Sequence, residues 1–305
     1  MDEGELIAER RRLKRSRSWW RGAAIVVAAV AIAVAAGGSD LARRYQPYIA
    51  ELRLSGVIAD DPEMIDALED AMTSRNAKAL VLRIDSPGGT VGDSQEIHSA
   101  LLRLRKKGCR VVASFGNISA SGGVYLGVAA ETIVANPGTI TGSIGVILRG
   151  NNLSRLLERI GISFETVKSG LYKDILSPDR ALTADERKLL QELIDSSYGQ
   201  FVEAVATGRG LSEAVVRGFA DGRVFSGAQA KGLGLVDELG DEDAARRLLA
   251  RLVGLDEDKT KPTTFGKPPK RLSSLIPGLN LLGQLHQALS LELAWCGQPL
   301  WLWRP

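Results

Sequence analysis

The run Asn117-Ile118-Ser119-Ala120-Ser121-Gly122-Gly123 sets a serine among small residues, between an apolar stretch and a helical one. A serine at a strand-to-helix turn is a nucleophile candidate, because the N–H groups beginning the helix can receive an oxyanion. The same pattern also serves as a plain helix cap. A serine nucleophile needs a base, and the chain has only two histidines. His98 lies on an amphipathic segment and His286 in the C-terminal tail, neither in triad-like surroundings, so both read as structural. Lysine is the next base available, which points to Ser/Lys hydrolysis rather than a Ser-His-Asp triad. Lys173 lies 52 residues beyond Ser121 in Lys168-Ser169-Gly170-Leu171-Tyr172-Lys173-Asp174, with Lys168 as a competitor. To accept a proton it must be neutral, a state that burial by substrate favours.

A second glycine turn, Ser86-Pro87-Gly88-Gly89, follows an apolar run at 79–85. Glycines there allow close backbone approach and can aim N–H groups at an anion, although an ordinary turn uses the same residues. Taken together, the two turns supply one N–H each to an oxyanion hole, with Gly89 and Gly122 as the donors. Asp85 and Asp174 stand beside turns and read as caps or orienting groups.

The elements around these turns read as α/β. Strands are expected at 52–58, 79–85, 110–115, 132–135, 144–148 and 163–167. Helices are expected at 64–72, at 94–107 with Ile97, Leu101 and Leu104 on one face, at 122–130 and at 153–159. A longer helix opens at the capping box Thr183-Ala184-Asp185-Glu186, and Ser226-Gly227-Ala228-Gln229 is a second such box. Strands alternating with helices call for crossover connections in a parallel sheet.

Before this domain lies a different kind of sequence. Residues 23–36 are unbroken apolar, preceded by Trp19 and Trp20, and residues 1–22 carry seven Lys/Arg against four Asp/Glu. That short segment accounts for the whole net charge of +3, so the rest balances and offers no nucleic-acid face. The expected organisation is a cytoplasmic basic segment at 1–22, a transmembrane anchor at 23–38 and a stalk at 39–51. The catalytic domain follows at 52–255, then a linker and apolar tail at 256–305. By the positive-inside rule the catalytic domain is on the exported side. A cleaved signal peptide ending near Ala33-Val34-Ala35 is the rival reading. Beyond the Pro/Lys linker, Trp295, Trp301 and Trp303 should dock on protein or membrane rather than stay in water. Cys109 reads as a packed thiol, and no spacing of Cys, His or acids suggests a metal.

Several stretches, in order, carry a resemblance: Asp85-Ser86-Pro87-Gly88-Gly89, Ser119 to Gly123, Thr141-Gly142-Ser143-Ile144-Gly145, Lys168 to Asp174, Ala220-Asp221-Gly222-Arg223, and Gly232 to Asp237. Over about residues 50–250 the chain resembles the bacterial signal peptide peptidase A family in its short, single-domain form. These are Ser/Lys proteases of the ClpP/crotonase fold, built from repeated β-β-α units, held in the inner membrane by a single span with the catalytic domain on the periplasmic side. The resemblance implies Ser121 as nucleophile and Lys173 as general base. Ser143 would position the lysine, Gly89 and Gly122 would form the oxyanion hole, and no cofactor would be needed. It also implies a homo-oligomeric ring whose neighbouring protomers complete each site, acting on signal peptides left in the membrane. Ser119 departs from the pattern, where the family more often has alanine. A crotonase-type acyl-CoA enzyme and a non-catalytic membrane scaffold are the alternatives.

Overall fold

The computed structural model describes residues 19–28, 48–74, 76–257, 263–264 and 300–302. They fall into two units, Met1–Tyr48 and Ile49–Pro305. In the first, residues 19–28 form a helix, α1, with Trp19, Trp20, Ile25, Val26 and Val27 exposed. Among the described residues no helix is long and apolar enough to cross a membrane. Most of the expected anchor, 29–38, lies outside the described residues.

The second unit is a mixed α/β domain on a mostly parallel sheet, which fits a ClpP-like fold. Its first half runs β1 (Tyr48–Ser55), α2 (Pro62–Thr73), β2 (Ala77–Ser86), β3 (Gly88–Thr90), α3 (Val91–Lys106), β4 (Arg110–Ala120), α4 (Gly122–Gly127), β5 (Thr132–Ala135) and β6 (Ile140–Gly142). Then come α5 (Ser154–Arg159), α6 (Ala184–Arg209), α7 (Glu213–Arg217), β7 (Val224–Ser226), α8 (Gly227–Gly232), β8 (Glu238–Leu239) and α9 (Glu242–Leu252). Two short strands, β9 (Thr263–Thr264) and β10 (Leu300–Leu302), close the described chain.

Within the sheet the order is β7-β6-β4-β2-β1-β9, with β5 also on β4. Strand β4 is the axis of the site. One edge pairs with β2, and the other is divided, its first half taken by β5 and its last residues by β6. Leu80, Val81 and Leu82 are all buried, as expected of a parallel strand covered on both faces. On one face, α9 packs Ala245, Leu249 and Ala250 against Ile49, Ala79, Val81, Val112 and Val134. Burying a leucine such as Leu249 contributes roughly 1.5–3 kcal/mol. Helix α3 buries Ile97, Leu101 and Leu104, the stripe its periodicity dictates. Both capping boxes form: the Glu186 N–H donates to Thr183 Oγ1 (3.2 Å), and the Gln229 N–H to Ser226 Oγ (3.2 Å).

Several boundaries differ from the sequence reading. Strand β1 starts at Tyr48, inside the expected stalk, because Tyr48, Ile49 and Ala50 are buried. Strand β4 does not stop at Phe115 but runs to Ala120 through a bulge, with Ile84 facing Phe115 and Ser86 facing Ser119. The bulge is filled by Asp85, whose Oδ1 accepts the Ile118 N–H at 3.0 Å. A Cβ on Gly116 would lie 2.7 Å from Asp85 Cγ, so only glycine fits there. Residues 144–148 and 163–167 do not form strands: in the first only Ile147 makes a single β-bridge, and in the second Phe164 is 59% and Val167 100% exposed.

Candidate active site

Ser121 follows the last residue of β4 and precedes α4. Its backbone sits at φ 54°, ψ −117°, a left-handed conformation that an L-residue adopts only under constraint. The constraint comes from both sides. The Ser121 N–H donates to Gly142 O at 2.8 Å, and the Tyr125 N–H donates back to Ser121 O at 3.0 Å. Glycines let α4 settle directly onto the sheet. A Cβ on Gly127 would meet the buried Phe115 ring at 2.5 Å, and one on Gly123 would lie 3.1 Å from Ser86 O. Ser121 is 1% exposed, and its Oγ has no hydrogen-bond partner among the described residues. A buried polar atom left unpaired is costly; Ser119 Oγ and Thr141 Oγ1 share that state, and Ser121 is set apart from them by its strained backbone at the start of α4.

The parallel register of β4 and β6 places Ala120 opposite Gly142, so the following residues, Ser121 and Ser143, leave the two strands side by side. Ser143 is also left-handed, at φ 51°, and its N–H donates to Arg223 O at 2.8 Å. Gly142 must be glycine: its φ is 87° and a Cβ would lie 2.6 Å from the Phe225 ring.

The second turn is built by its own serine. Ser86 Oγ, fully buried, accepts the Gly88 N–H at 3.1 Å. Strand β3 then pairs with the chain at Ile58. The Ile58 N–H donates to Gly88 O (2.8 Å) and the Thr90 N–H to Ile58 O (2.9 Å). A Cβ on Gly89 would fall 1.7 Å from Ile58 O, so no other residue permits this approach. A Cβ on Gly122 would lie 3.2 Å from the Gly89 nitrogen, so the two glycines are neighbours across the site. Gly122 is the first residue of α4, where an N–H has no helical acceptor. The Ser121 hydroxyl thus belongs to the residue next to Gly122, across from which lies the Gly89 amide, a set of groups able to attack a carbonyl and hold the resulting oxyanion.

Among the described residues no hydrogen bond joins Lys173 to Ser121. It lies in a turn at 171–176, exposed, and its ammonium makes no hydrogen bond or ion pair among the described residues. Lys168, the competitor, is engaged: its Nζ donates to Asp174 Oδ1 (2.6 Å) and Leu171 O (3.0 Å). Arg180 grips Asp174 (3.0 Å) and Glu186 at the start of α6 (2.5 Å), tying the turn to the helix. Arg180 first and Lys168 second hold the Asp174 carboxyl well below its usual range, and Arg180 with the Thr183 N–H draws Glu186 down to about 2. The Lys173 turn is therefore braced, while among the described residues its own ammonium has no partner.

His98 packs against α4, with its ring 4.6 Å from that of Tyr125, and among the described residues makes no hydrogen bond with Ser121. Burial, reinforced by Arg105, lowers its pKa to about 4, which keeps it neutral. Burial raises Cys109 to about 12, an inert thiol. His286 lies outside the described residues. Sequence reading gave Asp85 an orienting role but not its place in the β4 bulge, and missed the role of Ser86 in shaping its own turn. Their signal was only adjacency to glycines, since their partners are set by the fold.

Residues 103–256 match Peptidase family S49. The chain is 52% identical over 267 residues to a putative protease of Synechocystis, covering 84% of this chain and 96% of that protein. It is 38% identical over 210 residues to a putative signal peptide peptidase SppA of Enterococcus faecium (64% of this chain, 61% of that one). It is 37% identical over 190 residues to protease 4 of Salmonella typhi (62% and 31%). The match thus spans nearly all of the first relative, under two thirds of the second and under a third of the third. With its serine turn and paired glycine amides, the chain belongs to peptidase family S49, the signal peptide peptidase A family of serine proteases.

Proposed function

We propose that this protein is a membrane-anchored endopeptidase of the bacterial inner membrane that degrades signal peptides left after preprotein processing. The observation that carries the reading is the strained, buried and unpartnered Ser121 hydroxyl beside the Gly89 and Gly122 amides. Ser121 Oγ attacks the scissile carbonyl while Lys173 Nζ takes its proton. The carbonyl oxygen moves onto the Gly89 and Gly122 N–H groups. Lys173 then returns the proton to the leaving amine, and water hydrolyses the acyl-enzyme by the same route. Ser143, beside Ser121 at the strand ends, positions the lysine.

The lysine of each site comes from a neighbouring protomer of a ring. Two features support this: an Oγ without a partner among the described residues, and a largely exposed segment at 151–173 that presents Leu156, Ile160, Phe164, Val167 and Leu171 with Lys173. The apolar run at 23–36, with its basic flank, supports the anchor and a periplasmic catalytic domain. An anchored protease meets substrates in the membrane, and apolar signal peptides suit that place.

The test uses the full chain in detergent micelles with a synthetic signal peptide. Ser121→Ala and Lys173→Ala should each be inactive alone. Mixed before assembly in equal amounts, they should recover about a quarter of wild-type activity, because chance neighbours reunite intact halves. Zero recovery from a correctly mixed oligomer contradicts the shared site, and cleavage by Ser121→Ala contradicts the nucleophile.

A further inference from the structure

We propose that the groove between α3 and α6, floored by α4, binds a short apolar peptide with free ends, the class of molecule that peptide hydrolysis releases. This rests on the peptidase reading above and adds a second site at which products hold back catalysis.

The groove has a volume of about 530 Å³, within the range of roughly 300–1,000 Å³ usual for ligand sites. Its floor is Tyr125 of α4 and Val128 just after it, both buried, and Leu102 of α3 and Ala204 of α6 stand on either side. Helix α6 approaches closely because residue 208 is glycine: a Cβ there would lie 2.2 Å from Val128 O.

Opposite charges flank this apolar floor. Burial first, and then Arg105, lowers the pKa of His98 to about 4. Burial raises that of Tyr125, with Glu203 reinforcing it against a hydrogen bond with Gln95. The His98 and Tyr125 rings lie 4.6 Å apart, so the groove has a cation on the His98 side and an anion on the Tyr125 side. The fold satisfies neither charge fully. Among the described residues Glu203 makes no hydrogen bond or ion pair. Arg105 donates from Nη1 to Ala129 O at 2.8 Å, but its Nε is buried without a hydrogen-bond partner. That Nε is 3.7 Å from Glu131, a carboxylate that Arg110 already holds at 2.7 Å. The Arg105 side chain is 30% exposed and lines the groove, so donors remain for an incoming carboxylate. A peptide with free ends answers both charges: its carboxylate meets Arg105, its ammonium meets Glu203, and its apolar side chains cover Leu102, Val128 and Ala204. A simple anion would leave Glu203 unanswered.

Tyr125 links this groove to the chemistry. Its N–H donates to Ser121 O at 3.0 Å, one of the bonds that constrain the Ser121 backbone. An occupant pressing on the Tyr125 ring shifts that bond and relaxes the strained turn. The effect falls on kcat, because the peptide does not enter the space beside Gly89 and Gly122.

The Ser121→Ala chain, unable to cleave the probe, is titrated with alanyl-leucyl-alanine in micelles. A dissociation constant of about 0.1–1 mM is expected. N-acetylation of the probe should weaken binding roughly 2- to 5-fold. Adding Glu203→Gln, at an exposed position, should weaken the free tripeptide by the same factor and leave the acetylated one unaffected. C-amidation and Arg105→Gln should pair in the same way at the other end. Against wild type cleaving a signal peptide, saturating tripeptide should lower kcat roughly 5-fold with KM unchanged. Equal affinity for free and doubly blocked tripeptide, a Glu203→Gln loss that ignores acetylation, or competitive inhibition each overturns the proposal. The binding arm needs no activity, so the two readings fail separately. Both pairings in a protein that leaves signal peptides intact uphold the groove and sink the peptidase. Signal-peptide cleavage by a protein that does not bind the tripeptide does the reverse.

Discussion

Replacing Ser121 by alanine and by glycine separates the chemistry of this residue from the backbone that presents it. Both variants lose the hydroxyl, so both should be inactive. Their stabilities should differ in a defined direction. Alanine removes a buried hydroxyl with no partner among the described residues, a group whose burial costs about 1–3 kcal/mol. It keeps the β-carbon, which at φ 54° and ψ −117° is strained by about 1–3 kcal/mol. Glycine releases that strain but makes the unfolded chain freer by about 0.4–1 kcal/mol. The net gain from alanine to glycine is about 1 kcal/mol, or roughly 2–4 °C in Tm for a domain of this size. This step does not depend on the hydroxyl or on Lys173, so it isolates the backbone. Thermal melts of both variants, with peptide cleavage as the control for lost chemistry, make the comparison. At an ordinary position alanine is the more stable by about 0.5–1 kcal/mol. An alanine variant that melts above the glycine variant would therefore refute the strained-turn reasoning.

Gly89→Ala should lower kcat by about 10²–10³, the usual loss for one oxyanion donor, because the new β-carbon collides with Ile58 O and displaces the N–H; kcat/KM with a signal peptide reads it out. Lys173→Arg should be inactive since guanidinium keeps its proton, whereas Lys168→Ala, which loses a brace on Asp174, should retain most activity; an active Lys173→Arg enzyme excludes that residue as the base. Arg180→Ala should lower Tm most at neutral pH. Arg180 holds Asp174 and Glu186 below ordinary carboxylate values, so its contribution is present above about pH 4 and lost as pH falls towards 2. Melts from pH 7 to pH 2 should show the gap from wild type closing.

What the sequence reveals and what it conceals divide along the range of the interactions involved. Ile97, Leu101 and Leu104 are read from helical spacing alone, and the boxes at Thr183 and Ser226 are local, so both appear in the fold where the sequence puts them. The glycine turns are also local, and Gly89 and Gly122 come together because two strands end at one place. The end of β4 is hidden for the opposite reason. Gly116 and Asn117 look like a break, and only Asp85, 33 residues from Ile118 along the chain, turns that break into a bulge. Residues 144–148 and 163–167 have the apolar composition of strands but form no strand, the first making only a single bridge at Ile147, and composition does not reveal how far a pairing extends. Ser143 reaches Ser121 through the β4–β6 register, a long-range pairing that no spacing rule supplies. Lys173 carries no local mark distinguishing it from Lys168; the ion pairs of Lys168 and Arg180 do that.

The central claim is that Ser121 is the nucleophile and depends on Lys173. A fluorophosphonate probe followed by peptide mapping tests it most directly. The wild-type enzyme should carry one adduct, on Ser121, formed faster as pH rises; Ser121→Ala and Lys173→Arg should carry none, and Ser119→Ala should label like wild type. An adduct on Ser119 or Ser143, or undiminished labelling of Lys173→Arg, would contradict the account.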